Sequence, residues 1–173
     1  MGRLVTEKLI SKGFFVKIFD LPSADYEGFD PNKTEIIRGD LSDKSDLEFA
    51  INNVHSIIHL AAILPPLANE NEELAKKVNV EGTKKLVEVV EKNNPKAHFI
   101  FSSSVSIYGK NLDNKKVTEN TNPNPDDNYA ITKFESEKIV TKSDLNFTVL
   151  RISGVSIPVF QEPPKEWPFL SNQ

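Results

Sequence analysis

Three serines, Ser102, Ser103 and Ser104, close an apolar run over residues 97–101, and Tyr129 and Lys133 lie 25 and 29 residues beyond the last of them. A strand that ends in hydroxyl residues delivers donors and acceptors to a sheet edge, where open α/β folds bind ligands. Residues 129–141 read as a helix, so the i,i+4 spacing puts phenol and ammonium on one face. A tyrosine with an ordinary pKa of about 10 is a poor base at neutral pH, and a nearby cation favours its phenolate. The chemistry in view is proton transfer: a strand hydroxyl holds a substrate oxygen while the tyrosine moves its proton. Tyr and Lys at this spacing also occur on solvated helix faces, so the order of the surrounding elements must decide.

Those elements alternate. Apolar spacing over residues 3–12 predicts a helix stopped by Gly13, and 14–19 is a near-continuous apolar run ending in Asp20, as for a strand buried in a parallel sheet. Residues 21–33 read as loop and 35–39 as a short strand. Ser42 is the expected N-cap of a helix over about 43–53. A strand over 56–61 and a long helix over about 71–92, closed by Asn93-Asn94-Pro95, lead into the serine strand. A polar loop, the Tyr/Lys helix and a strand over 147–152 complete the pattern. This alternation predicts a doubly wound parallel sheet. Asp20, Asp40, the His59-Leu60-Ala61-Ala62 run and the serines then share the edge where a dinucleotide lies.

Composition narrows the partners. At 173 residues the chain is one domain with a tail, divided here as 1–157 and a Pro-rich stretch over 158–173. No apolar run reaches the roughly 18 residues of a membrane span, and no basic-then-apolar leader is visible, so a cytoplasmic protein without membrane contact is expected. With no cysteine there is neither disulfide nor thiolate site. Net charge is −4 with lysines scattered, which argues against nucleic acid as a partner. His55, His59 and His98 show no useful metal spacing, so no metal site is expected, and His59 reads as a packed strand histidine.

Taken in order, Asp20 at a strand end, Arg38-Gly39-Asp40-Leu41, His59-Leu60-Ala61-Ala62, Asn79-Val80-Glu81-Gly82-Thr83, Ser102-Ser103-Ser104 leading into Tyr108-Gly109, Tyr129 with Lys133, and Leu150-Arg151 form a specific set. In these motifs the chain resembles the extended short-chain dehydrogenase/reductases, in particular their NAD-dependent epimerase/dehydratase branch. The resemblance implies a Rossmann-like fold and NAD as cofactor. It assigns catalysis to Ser104, to Tyr129 as acid/base, and to Lys133, which would bind the nicotinamide ribose and lower the tyrosine's pKa. It assigns cofactor contacts to Gly2, Asp20, Asp40, Leu41, Leu60, Ala61, Ala62 and Ser102 together with Tyr129 and Lys133. Asp20 on the adenosine ribose would favour NAD over NADP. Asn79 would steady the central helix.

Two departures shape the expectation. Val105 and Ser106 stand where dehydratases of the family carry an Asp-Glu pair, which disfavours sugar dehydration and leaves epimerisation or simple oxidation and reduction. The family opens with a strand and three spaced glycines, of which Gly2 matches only the last, and most of its substrate lobe would follow residue 157. The expectation is therefore a fragment lacking the first strand and most of that lobe, with weakened cofactor binding and a tendency to form homo-oligomers through an unpaired strand edge. The expected activity is an NAD-dependent epimerase or oxidoreductase acting on a small molecule, a nucleotide sugar. Two alternatives stay open: a dehydrogenase of the same family acting on a non-sugar hydroxy or keto compound, a steroid, a flavonoid or a small hydroxy compound, and a catalytically silent dinucleotide-binding or scaffold fragment.

Overall fold

A computed structural model describes residues 1–110 and 116–154. The Pro-rich stretch over 158–173 lies outside the described residues. Helix α1 (Gly2–Ser11) ends where the Gly13 and Phe14 amides donate back to the Ile10 and Leu9 carbonyls, with Gly13 at φ +85°. That termination takes up Phe14, and Phe15 links it to the sheet. Strand β1 (Val16–Asp20) accordingly starts two residues later than the apolar run suggests. It pairs in parallel with β2 (Thr34–Arg38), Asp20 opposite Arg38.

Helix α2 (Lys44–Ala50) is capped by Asp43, not by Ser42. The Asp43 carboxylate accepts from the Ser45 and Asp46 amides at 2.8 and 3.1 Å, whereas the Ser42 amide is drawn back to Asp40 Oδ1 at 2.7 Å. A carboxylate is the stronger acceptor for the unpaired amides of a first turn. Strand β3 (Ser56–His59) is shorter than expected, because Asn79 holds both the amide and the carbonyl of Ile63 (2.7 and 3.1 Å) and draws the chain out of the sheet.

The long helix expected over 71–92 is interrupted. After the short α3 (Leu67–Glu70) come α4 (Glu72–Ala75), a π-helical segment (Lys76–Gly82) and α5 (Thr83–Asn93). In the wider turns the Asn79 carbonyl accepts from two hydroxyls, those of Thr83 (2.5 Å) and Ser136 (2.7 Å), and π segments of this kind often sit at functional sites. Gly82 admits Leu41, since a Cβ there would meet the leucine side chain at 2.6 Å.

Strand β4 (His98–Ser104) keeps all three serines in the sheet, paired in parallel on one side with β3 and on the other with β5 (Phe147–Ile152), Ser104 opposite Ile152. A 3₁₀ turn (Val105–Tyr108) follows, then α6 (Asn128–Thr141), whose first turn is capped by Asp127. Every pairing is parallel, and helices connect the strands except between β1 and β2, which a loop over 21–33 joins. The ladder is nonetheless divided into β1-β2 and β3-β4-β5, with no pairing between β1 and β3. One core joins the two parts: Leu47 and Ile51 from α2, Leu86 and Val90 from α5, Phe99 and Phe101 from β4, and Val140 from α6, with Phe19 and Leu41 packed against it.

Gly109 is a position that only glycine suits. Its φ is +70°, and an added Cβ would collide with the Asn124 carbonyl, whose own amide holds the Ile107 carbonyl at 2.8 Å. Gly109→Ala is expected to cost about 1–3 kcal/mol, read as a lower urea midpoint with unchanged slope. An unchanged midpoint would show that the turn opens freely.

Candidate active site

The 3₁₀ turn starts on Ser104, whose Oγ accepts from the Ser106 amide (3.1 Å) and from the Ser106 hydroxyl (2.8 Å). Ser104 also lies near enough to Tyr129 to act on its phenol as a hydrogen-bonding neighbour that lowers the phenol's pKa. Ser106, noticed in the sequence only as a departure, is what orients Ser104. Tyr129 sits in the first turn of α6, where its amide donates to Asn69 Oδ1 at 3.1 Å and its carbonyl accepts from Thr132 at 2.9 Å. Beside Ser104 opens a cavity of about 520 Å³ lined by Val105, Tyr108, Val117 and Ile152 among others.

Lys133 departs from expectation. It lies on the same helix, yet its ammonium rests 4.3 Å from the centre of the Phe101 ring and the residue is only 3% exposed. Burial pulls its pKa down to about 8, with Glu137 opposing the shift. The Tyr129 pKa is raised, mainly by burial and further by Asp127, while Ser104 opposes; Lys133 is not among the groups that shift it. The expected lowering by lysine is therefore corrected: shared helix face sets where two side chains start, and the aromatic ring and carboxylate around Lys133 decide where its ammonium ends.

A stability prediction follows from Lys133. Its folded pKa lies below the unfolded value of about 10.5, so the unfolded chain binds the extra proton between those values and stability rises with pH from about 8 to 10.5. Selective NMR observation of the Lys133 side chain is expected to show a midpoint near 8. A midpoint above 10 would mean that the ammonium is solvated.

A buried polar cluster missed by sequence reasoning surrounds this pair. Glu137 accepts from Ser103 Oγ (2.5 Å), Arg151 Nε (3.2 Å) and Arg151 Nη2 (2.6 Å). Arg151 Nη1 donates to the Tyr108 hydroxyl at 2.5 Å and to the Glu119 carbonyl at 3.0 Å. The signal was present, since Glu137 continues the i,i+4 row of Tyr129 and Lys133, and Arg151 stood in a recognised motif.

The dinucleotide edge is mixed. Asp20 closes β1 with Oδ1 accepting from the Leu21 amide at 2.8 Å, and beside it the Tyr26 hydroxyl is buried without a well-formed hydrogen bond. Burial and then Asp20 raise the Tyr26 pKa. An orphaned hydroxyl against a carboxylate fits the vicinal hydroxyls of a ribose, so this end of the site suits NAD. The Asp40 carboxylate is turned to the Ser42 amide, and that bond holds its pKa below the usual range. Leu41 packs against Gly82; Leu60, Ala61 and Ala62 leave β3 at the same strand end; Gly2 opens α1 with free space about its Cα. Ser102 is corrected: its buried hydroxyl donates to the His59 carbonyl at 2.9 Å, so it ties β4 to β3 instead of facing a ligand. His59 is packed between Phe99 and Phe101, bonded to Thr83 at 2.9 Å, and burial lowers its pKa to about 3. Among the described residues no cluster of metal-ligating side chains forms and no helix is long and apolar enough to cross a membrane.

Parallel strands wound with helices, with an acidic residue at the first strand end, define a dinucleotide-binding class of fold. The family model described as the NAD dependent epimerase/dehydratase family matches residues 1–164, and the chain belongs to that family. A sterol-4-alpha-carboxylate 3-dehydrogenase, decarboxylating, from Bos taurus is 32% identical over 91% of this chain and 44% of its own. Two of the similar solved structures bear on the site. One is a short-chain dehydrogenase/reductase superfamily protein from Agrobacterium tumefaciens with bound NAD, 29% identical over 87% of this chain and 45% of that one, TM-score 0.73. The other is the UDP-glucose 4-epimerase of Thermotoga maritima with UDP-glucose, 29% identical over 87% and 51%, TM-score 0.73. The chain thus spans about half the length of the relatives it matches.

Proposed function

We propose that this chain is the cofactor-binding and proton-transferring half of an NAD-dependent epimerase or dehydrogenase that interconverts a secondary hydroxyl and a ketone on a nucleotide sugar. The observation that carries the reading is the place of Ser104 at the end of β4, where it lines a cavity large enough for a substrate and lies near enough to Tyr129 to oppose the rise of the phenol's pKa. Asp20 with Tyr26, the Leu41 and Leu60–Ala62 backbone, and Lys133 would hold NAD, which supplies a hydride acceptor and donor when bound. Ser104 holds the substrate oxygen by donating to it. Tyr129 gives its proton to that oxygen in reduction and takes one in oxidation. With its pKa raised, the phenol is protonated at neutral pH and poised to give. No carboxylate lines the cavity among the described residues, so water elimination lacks an acid/base there.

A second reading rests on the walls of the same cavity. Val105, Val117 and Ile152 present mainly apolar surface, which suits a steroid-like hydroxy compound, and the Bos taurus relative is named for a sterol substrate. The natural full-length protein, given NAD and either UDP-glucose or a 3-hydroxysteroid acid, separates the readings. Epimer formation from UDP-glucose supports the first, and NADH formed only with the steroid supports the second. Turnover of neither, by a protein that binds NAD, would overturn both.

A further inference from the structure

Glu137 has no part in the reaction proposed above, yet it is only 5% exposed and lies one turn beyond Lys133 on α6. A buried carboxylate is costly unless it is paired and hydrogen-bonded. Here Ser103 and Arg151 supply the donors, and Arg151 is itself anchored to Tyr108 and the Glu119 carbonyl. Lys133 has no such set: its ammonium makes no hydrogen bond among the described residues and rests on the face of Phe101.

We propose that Glu137 is a positioning residue that keeps Lys133 in its charged form, and that Ser103 and Arg151 hold the carboxylate where it can do so. The proposal rests on the reading of Lys133 as the cation of the site. The groups around the ammonium leave few other candidates. Along α6, Tyr129 precedes Lys133 by one turn and Glu137 follows it by one turn. Strand β3 brings His59, which burial keeps neutral, and β4 brings Phe101 and Ser103. Asn79 of the π segment, bonded to Thr132, and Thr83 of α5, bonded to His59, carry no charge, and β5 brings Arg151 against Glu137. Arginine does not give up its proton. Lysine is the member of the cluster that can yield, and the carboxylate charge is what opposes the loss.

This divides one carboxylate between two cations with different duties. Arg151 uses it as a structural anchor. Lys133 uses it as a counter-charge through space, which frees the ammonium to serve a bound hydroxyl instead of being tied to the protein.

The test is the titration of Lys133 by side-chain NMR in Glu137→Gln and Glu137→Asp. The midpoint is expected to fall by about one unit or more in the Gln variant, and to stay near the wild-type value in the Asp variant, which keeps the charge. Because Glu137→Gln leaves Arg151 short of a partner, the double variant Glu137→Gln/Arg151→Met is read against Arg151→Met alone, so that only the carboxylate differs, and the same fall is expected. A Gln midpoint equal to wild type together with a double-variant midpoint equal to that of Arg151→Met would overturn the proposal. In the full-length protein, ketone reduction is expected to lose kcat/KM at high pH, and that limb moves to lower pH in the Gln variant. Should Tyr129 prove irrelevant to turnover, the function above falls while the NMR midpoints still decide the role of Glu137.

Discussion

Tyr129→Phe is expected to lower the kcat of the full-length protein by roughly 10²–10⁴-fold, the usual contribution of a positioned acid/base. The ring is retained, so the half-buried packing against the start of α6 survives, and the backbone bonds to Asn69 and Thr132 do not involve the phenol. Stability and substrate KM are expected to change little, because the lost hydroxyl acts on the oxygen that gains or loses a proton in the transition state. Ser104→Ala is the partner measurement: it removes the donor aimed at the same oxygen, and the two effects should be less than additive because the residues act together. A Phe variant with undiminished turnover would take the tyrosine out of the mechanism.

Arg151→Met should produce the largest loss of stability, about 3–5 kcal/mol, the cost of leaving a buried carboxylate without its cation. The guanidinium makes both the ion pair to Glu137, at 2.6 Å, and the bonds that secure Tyr108 and the Glu119 carbonyl. Its proton is held more firmly than usual by Glu137 and Tyr108, so the pair persists across the accessible pH range on the arginine side. Urea unfolding at neutral pH checks the magnitude. The double variant with Glu137→Gln should recover much of the loss, since removing both charges leaves none unpaired. A loss below 1 kcal/mol in Arg151→Met would mean that water compensates the carboxylate and that the cluster is not sealed.

Much of this architecture was legible before any coordinates. Local patterns announce themselves: the 147–152 strand, the serine strand and the Tyr/Lys helix all lie where apolar period and capping residues put them. Asp20 and Ser104 fall at strand ends because a buried apolar run must stop somewhere, and small or charged residues mark the place. Boundaries were less legible where two side chains competed for one role. Asp43 displaced Ser42 as a cap, and Phe14 went to a helix terminus instead of a strand.

What the chain determined alone, then, is the order of its elements and which residues share an edge or a helix face. Period and propensity act over a few residues and are written in the string. Tertiary structure decided which partner each polar side chain takes: Ser102 the His59 carbonyl, Ser103 the carboxylate of Glu137, Arg151 that same carboxylate, and Lys133 the ring of Phe101 instead of the phenol of Tyr129. These partners stand 14 to 43 residues apart in the chain. A buried donor or charge must find compensation within about 3–4 Å, and what lies within that distance is set by how strands and helices stack.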